Sequence, residues 1–271
     1  MSAGAGAERV HFGGDCEGFL SMPRGGAPAG AVVILHERYG LVQHTLDLAQ
    51  RLARDGFVAF TPDLFSRWKG DRVALARGEV RVTLPDADVA EVIDAGLDFL
   101  KGQLRVVPAR IALMGVCQSG RYPIVVASRR RDLAACVVFY GASQERDWAA
   151  SELQPRPMAE MIHSLSTPAL FVYGESDHTI SLADVRRVRN ALEEGHCSYR
   201  MKVVRNMPHG WLNHTMPGRY RPQQAEEAWV LLLGFLADVF SGRWPGAGEV
   251  RWEFESASAV DYDFSRNVRL E

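Results

Sequence analysis

Arg110-Ile111-Ala112-Leu113-Met114-Gly115-Val116-Cys117-Gln118-Ser119-Gly120 decides how this chain folds. Residues 110–116 are an apolar run of strand length, of the kind found in strands buried on both faces. Cysteine, serine and glycine follow within four positions, and the chain then reads as a helix. A buried strand that turns sharply into a helix belongs to a parallel α/β layer. The same rhythm spreads outward from it. Residues 29–35, 57–61, 134–140, 169–173 and 199–204 read as strands. Helical spacing of apolar residues marks 44–55, 86–101, 181–194 and 223–239. The expected fold class is α/β, a mostly parallel doubly wound sheet with helices on both faces.

Three stretches break the rhythm. Residues 65–84 are polar and Arg-rich, and 143–166 carry Trp148, Pro155 and Pro157. Beyond Gly242 the chain holds Trp244, Trp252, Phe254, Tyr262 and Phe264, too aromatic for a disordered linker. The expected organisation is one α/β domain over 1–242 and a C-terminal tail, 243–271. The tail should pack on its own domain or on a neighbouring subunit, where it could join a homodimer.

Composition narrows the function classes. The chain has 271 residues, 47% of them hydrophobic, and a net charge of −2. A near-neutral balance without a long basic block argues against a nucleic-acid partner. Arg129-Arg130-Arg131 reads as a solvated helix end. The apolar stretch 228–236 is too short to span a bilayer, so no membrane partner is expected. The small, flexible start lacks the order of a signal peptide. Cys16, Cys117, Cys136 and Cys197 are scattered without a CxxC pair, which suits free thiols and a cytoplasmic location. No histidines have metal-ligand spacing, so neither metal nor cofactor is expected.

In open parallel sheets, ligands bind at the carboxyl ends of the strands. After the strand at 110–116, Gly115-Val116-Cys117-Gln118-Ser119 has the form of a nucleophile elbow, with cysteine as the nucleophile. Ser119 stands where glycine is usual, and Gly120 comes next. A thiol at a helix start is favoured as thiolate, and the Gln118 N–H would be one oxyanion donor. After the strand at 169–173, Asp177 suits the acid that orients a histidine. Glu175 is its local competitor, and a helix cap is the plainer reading. After the last core strand, His209 on a Pro/Gly loop suits the general base, with His178 the alternative in another register. Cys117, Asp177 and His209 stand in the order nucleophile, acid, histidine. His11, His44, His163 and His196 read as solvated.

Between 29 and 240 the sequence resembles the dienelactone hydrolases (carboxymethylenebutenolidases) of the α/β-hydrolase superfamily. The resemblance rests on His36-Glu37-Arg38-Tyr39-Gly40, Thr61-Pro62-Asp63-Leu64-Phe65, Gly115-Val116-Cys117, Tyr173-Gly174-Glu175-Ser176-Asp177-His178 and His209-Gly210-Trp211-Leu212-Asn213. Cysteine at the elbow together with Glu37 is its specific part. It implies an α/β-hydrolase fold and a Cys-His-Asp triad. It also implies that Glu37 holds the thiol proton at rest, and that the Arg38 N–H is the second oxyanion donor. The implied substrate is a small ester or enol-lactone, cleaved through a thioester acyl-enzyme. Tyr39, Phe65, Arg121 and Trp211 are the substrate-binding candidates. The family's substrate-binding arginine just after the histidine is missing, since Leu212, Asn213 and His214 stand there. Arg67, Arg72, Arg77, Arg81 or Arg121 could replace it. Two other readings stay open: a general carboxylesterase or thioesterase, and a non-catalytic binding protein on the same scaffold.

Overall fold

The computed structural model describes residues 6–102, 106, 110–246, 248–255 and 264–271; Tyr262 of the tail lies outside them. Nine strands form one sheet: β1 (Gly6–Phe12), β2 (Cys16–Met22), β3 (Ala31–Leu35), β4 (Val58–Pro62), β5 (Ile111–Val116), β6 (Ala135–Phe139), β7 (Ala169–Gly174), β8 (Tyr199–Val204) and β9 (Val250–Phe254). Their spatial order is β1-β2-β4-β3-β5-β6-β7-β8-β9. The β1/β2 and β2/β4 pairs are antiparallel, and every pair from β4/β3 to β8/β9 is parallel. The helices are α1 (Gln43–Arg54), α2 (Arg72–Arg77), α3 (Asp86–Gly102), α4 (Arg121–Ala127), α5 (Met158–His163), α6 (Leu182–Glu194) and α7 (Pro222–Phe240).

The central strands are buried on both faces, so their residues divide between two cores. In β3, Val33 and Leu35 join a layer with Val89, Ile93 and Leu97 of α3 and Val185 and Val188 of α6. Val32 and Ile34 join the opposite layer, with Leu48 and Leu52 of α1 and Leu232 and Phe235 of α7. This double burial is why the inner strands read as unbroken apolar runs. The edge strands carry a weaker signal. Every second residue of β2 from Cys16 to Leu20 is buried and the rest are open or partly open. β9 is only partly covered, with Trp252 and Phe254 stacked 5.7 Å apart. That strand extends the parallel sheet with residues from the aromatic tail.

One buried ion cluster ties the helices beneath the site. Arg121, at the start of α4, donates Nη2 to Asp86 Oδ2 at 2.8 Å and Nε to Asp86 Oδ1 at 3.0 Å. Its Nη1 lies 3.6 Å from Asp147 Oδ1. All three side chains are almost wholly buried, and α3, α4 and the 145–148 turn meet there. Removing one member would strand charge in the interior. Arg121→Ala should therefore cost about 3–5 kcal/mol of stability, read as a lower urea midpoint with an unchanged slope.

Candidate active site

At the carboxyl end of β5 the chain enters a 3₁₀ turn, Cys117–Gly120, that leads directly into α4. Cys117 begins it in the left-handed region, with φ +58°, a conformation that costs a non-glycine residue free energy and persists only where the surroundings enforce it. They do so by lack of space. A Cβ on Gly115 would meet Ser119 O at 2.5 Å, and one on Gly120 would meet Gly141 Cα at 2.6 Å. Ser119, the departure from the usual motif, has a structural task. Its Oγ donates to Leu35 O at 2.7 Å and accepts from Val116 N at 3.0 Å, tying the elbow to β3. The close approach that needs a glycine has moved one residue along, to Gly120.

The loops after β7 and β8 bring up two more groups. Cys117 Sγ lies 3.1 Å from His209 Nε2, and His209 Nδ1 lies 2.7 Å from Asp177 Oδ2. Asp177 faces the histidine and does not cap a helix, since Ser181 is the N-cap of α6. Asp177 Oδ1 accepts from the backbone N–H groups of Thr179 and Ile180 at 2.7 and 3.0 Å and from the Thr179 hydroxyl at 2.8 Å. Its Oδ2 remains for the histidine. Thr179 Oγ1 also lies 2.9 Å from His209 Nδ1, so one hydroxyl spans acid and base. Glu175, the competitor, instead accepts from Asn206 N at 2.9 Å. The His178 ring stands edge-on to His209 at 5.6 Å.

Burial would depress the His209 imidazolium, but the Asp177 carboxylate and the Cys117 sulfur outweigh it and hold the pKa well above the ordinary value. Burial also opposes the Asp177 charge, and the His209 charge with the Thr179 bonds carries its pKa below the usual carboxylate range. Histidine and acid thus hold each other in the charged forms.

Glu37 is buried, which pushes its carboxyl pKa up, against the partial relief of the His209 charge and the Asn213 bond. Asn213 Nδ2 donates to Glu37 Oε2 at 2.6 Å. No hydrogen bond joins Glu37 to Cys117 among the described residues, and the sulfur faces the histidine. His36 organises the backbone here, with Nε2 accepting from Leu64 N at 3.0 Å and Nδ1 2.7 Å from Glu37 O. The backbone N–H groups of Arg38 and Gln118 donate to no acceptor among the described residues.

Glu37, Arg38, Cys117, Gln118 and His209 line one cavity of about 180 Å³, and Asp177 supports His209 from behind. Tyr39 lines it too. Arg121 is on its wall, with its charge met by Asp86 and Asp147. Phe65 and Trp211 do not line it. Phe65 stacks near His36 at 4.9 Å, and Trp211 is fully buried beside Tyr140 at 6.1 Å. Of the arginines in 65–84, Arg81 reaches the cavity; Arg146, Arg219 and Arg269 join it from elsewhere. Sequence reading overlooked those three, and also Thr179, Asn213 and Tyr140. Thr179 had a signal in its position two residues after the acid, and Asn213 in its place within the His209 motif. His44 corrects another expectation. It is buried rather than solvated, packed 3.2 Å from the His214 nitrogen, and burial lowers its pKa to about 3.

The sequence profile of the Dienelactone hydrolase family matches residues 16–240. The chain belongs to this family. A provisionally named carboxymethylenebutenolidase of Methylorubrum extorquens is 28% identical over 219 residues, 79% of this chain and 74% of that protein. Protein usf of Aquifex pyrophilus is 25% identical over 83% of this chain and 94% of its own length. Among solved structures, a provisionally named dienelactone hydrolase of Klebsiella pneumoniae superposes with a TM-score of 0.74. It is 24% identical, covering 87% of this chain and 99% of that one. These likenesses and the strand order make the fold an α/β-hydrolase fold. Family members of this kind are hydrolases of small molecules. No helix among the described residues is long and apolar enough to cross a membrane.

Cys117 is the one cysteine that is not buried, and its sulfur lies beside a histidine. Cys136 and Cys16 are pushed up chiefly by burial, and Cys197 is pushed up to about 11 by the same cause. At pH 7, iodoacetamide should alkylate Cys117 roughly a hundredfold faster than the other three. Peptide mass mapping against time checks this, and His209→Gln should slow the alkylation of Cys117 while leaving the other three thiols unchanged.

Proposed function

We propose that this dienelactone hydrolase family member hydrolyses carboxylic esters or lactones, enol-lactones foremost, with Cys117 as nucleophile. One observation carries the reading: a cysteine forced into a left-handed elbow, its sulfur 3.1 Å from a histidine whose other nitrogen is held by a buried aspartate. His209 and Asp177 support a thiolate, which attacks the carbonyl carbon. The negative charge that develops on the carbonyl oxygen is met by the Gln118 and Arg38 N–H groups, each contributing on the order of 3 kcal/mol. The carbon–oxygen bond to the leaving group breaks, the departing enolate or phenolate takes the proton of the His209 imidazolium, and a thioester forms on Cys117. His209 then takes a proton from water, the hydroxide attacks the thioester, and the acid is released with the thiolate restored. Enolates and phenolates depart with little protonation, so they suit a sulfur nucleophile better than alkoxides do.

Glu37, with its raised pKa and its place on the cavity wall, is suited to take the proton that the Cys117 thiol gives up on becoming a thiolate. That role requires its carboxylate to turn from Asn213 toward Sγ. The four free thiols accord with a cytoplasmic location.

Cys117→Ala and Cys117→Ser should both lower kcat/KM for p-nitrophenyl acetate and for an enol-lactone at least a thousandfold, with circular dichroism unchanged. Wild-type activity in Cys117→Ala would overturn the reading. The wild-type ratio of enol-lactone to alkyl ester turnover separates a lactonase from a general carboxylesterase or thioesterase.

A further inference from the structure

Asp177 is fixed to its own loop before it is fixed to anything else. Its Oδ1 accepts from Thr179 N and Ile180 N, which closes a turn, and Thr179 Oγ1 joins them. Such a turn carries the carboxylate wherever the loop goes. The 2.7 Å approach of Oδ2 to His209 therefore depends on what holds the loop. Before the acid, three bonds tie it to the segment that leads to His209. Glu175 N donates to Val204 O and Ser176 N to Met207 O, both at 3.0 Å, and Asn206 N donates to Glu175 Oε2 at 2.9 Å. At Asp177 itself the backbone tie comes from far along the chain.

Asn267 supplies that tie. Its Nδ2 carries two hydrogens and donates to Asp177 O at 2.8 Å and to Glu175 O at 3.4 Å, so one amide bridges the carbonyls on either side of Ser176. No other group among the described residues donates to Asp177 O. Asn267 is itself held in a short turn, with its N–H on Phe264 O at 3.0 Å. The segment 264–271 lies beyond the 16–240 span that matches the family profile, yet that span contains a seat for it. A Cβ on Gly218 would meet Glu271 O at 1.5 Å and Glu271 C at 2.6 Å, so the absence of a side chain there leaves the room that Glu271 fills. Beside it, the buried Arg219 donates Nε to Leu270 O at 2.5 Å. The segment is thus anchored at two places, by Asn267 on the acid-bearing loop and by Leu270 and Glu271 on residues 218–219.

We propose that residues 264–271 brace the acid-bearing loop, and that Asn267 is the positioning residue that sets Asp177 against His209. This deepens the proposed function and rests on it, since the placing of Asp177 matters to turnover only where His209 works on Cys117. The physical argument is one of leverage. A charge-assisted bond of 2.7 Å is near its best length and weakens as its partners drift apart or tilt. The bonds at Glu175 and Ser176 lie on one side of the acid. Without Asn267 the loop is free to rock about them and take the carboxylate away from the ring. The charge on His209 is the quantity at stake, because the Asp177 carboxylate supports the imidazolium. Asn267 acts on the loop, and the loop acts on the histidine.

Nitrogen-15 NMR of histidine-labelled protein, with the His209 signal assigned by its loss in His209→Gln, follows the imidazolium directly. Asn267→Leu keeps the bulk of the side chain and loses both donors. In it the His209 imidazolium should give up its proton about one pH unit lower than in the wild type. The sign follows from the carboxylate, whose approach favours the charged ring. For the same variant kcat/KM for p-nitrophenyl acetate should fall roughly tenfold. Asn267→Gln, with both N–H donors on a longer arm, should recover most of each loss. Gly218→Ala changes neither the segment nor the acid-bearing loop, and it should move the His209 midpoint in the same direction by displacing Glu271. A midpoint in Asn267→Leu within about 0.2 pH unit of the wild type would overturn the brace, even if turnover fell. If Cys117→Ala keeps wild-type turnover, the proposed function fails, and the titration, which needs no turnover, still decides the brace.

Discussion

The left-handed turn at Cys117 is the constraint on which the rest of the site depends. A cysteine with φ +58° cannot hold that conformation alone. It is kept there because β5, β6 and α4 approach too closely for any other path, with Gly120 against Gly141 and Ser119 bonded to the end of β3. The strain is therefore met by the packing of the central sheet, the most buried part of the molecule. In return the sulfur projects at the carboxyl edge of the sheet, and the N–H of Gln118 has no partner in its own turn.

The second layer of organisation is electrostatic. Asp177 is almost fully buried, yet it stays ionised because backbone N–H groups, a hydroxyl and a histidine take up its two oxygens. Each of those bonds would lose most of its value around a neutral acid. Arg121 follows the same logic on the far wall, with its charge absorbed by Asp86 and Asp147. Arg219 differs, since it is buried with its Nε on the Leu270 carbonyl and has no ion pair with a carboxylate among the described residues.

Much of this was legible in the sequence, for identifiable reasons. Strands buried on both faces are continuous β-branched and apolar runs, so β3 to β8 stood out together with the helices between them. Residues set directly after those strands, Cys117, Asp177 and His209, inherit their position from the sheet, and the structure brings them within bonding distance. Legibility ended where position depends on long-range packing. β1 and β2 alternate polar and apolar residues too softly to announce themselves, and α2 and α5 span less than two turns each. Arg146, Arg219 and Arg269 are ordinary arginines until loops far apart in sequence fold toward one cavity. His44 looked like a solvated helix residue because nothing local reveals that His214, 170 positions away, covers it.

The direction of β9 has a consequence of its own. Because it runs parallel to β8, the chain leaves the sheet at the same end as the loops that carry Cys117, Asp177 and His209. An antiparallel last strand would have released it at the opposite end, among the helix-to-strand connections. Topology alone thus brings whatever follows β9 to the working edge of the sheet. Lengthening or fusing the carboxyl terminus of this protein changes the surroundings of the cavity, whereas an addition before β1 enters at the edge of the sheet farthest from β9.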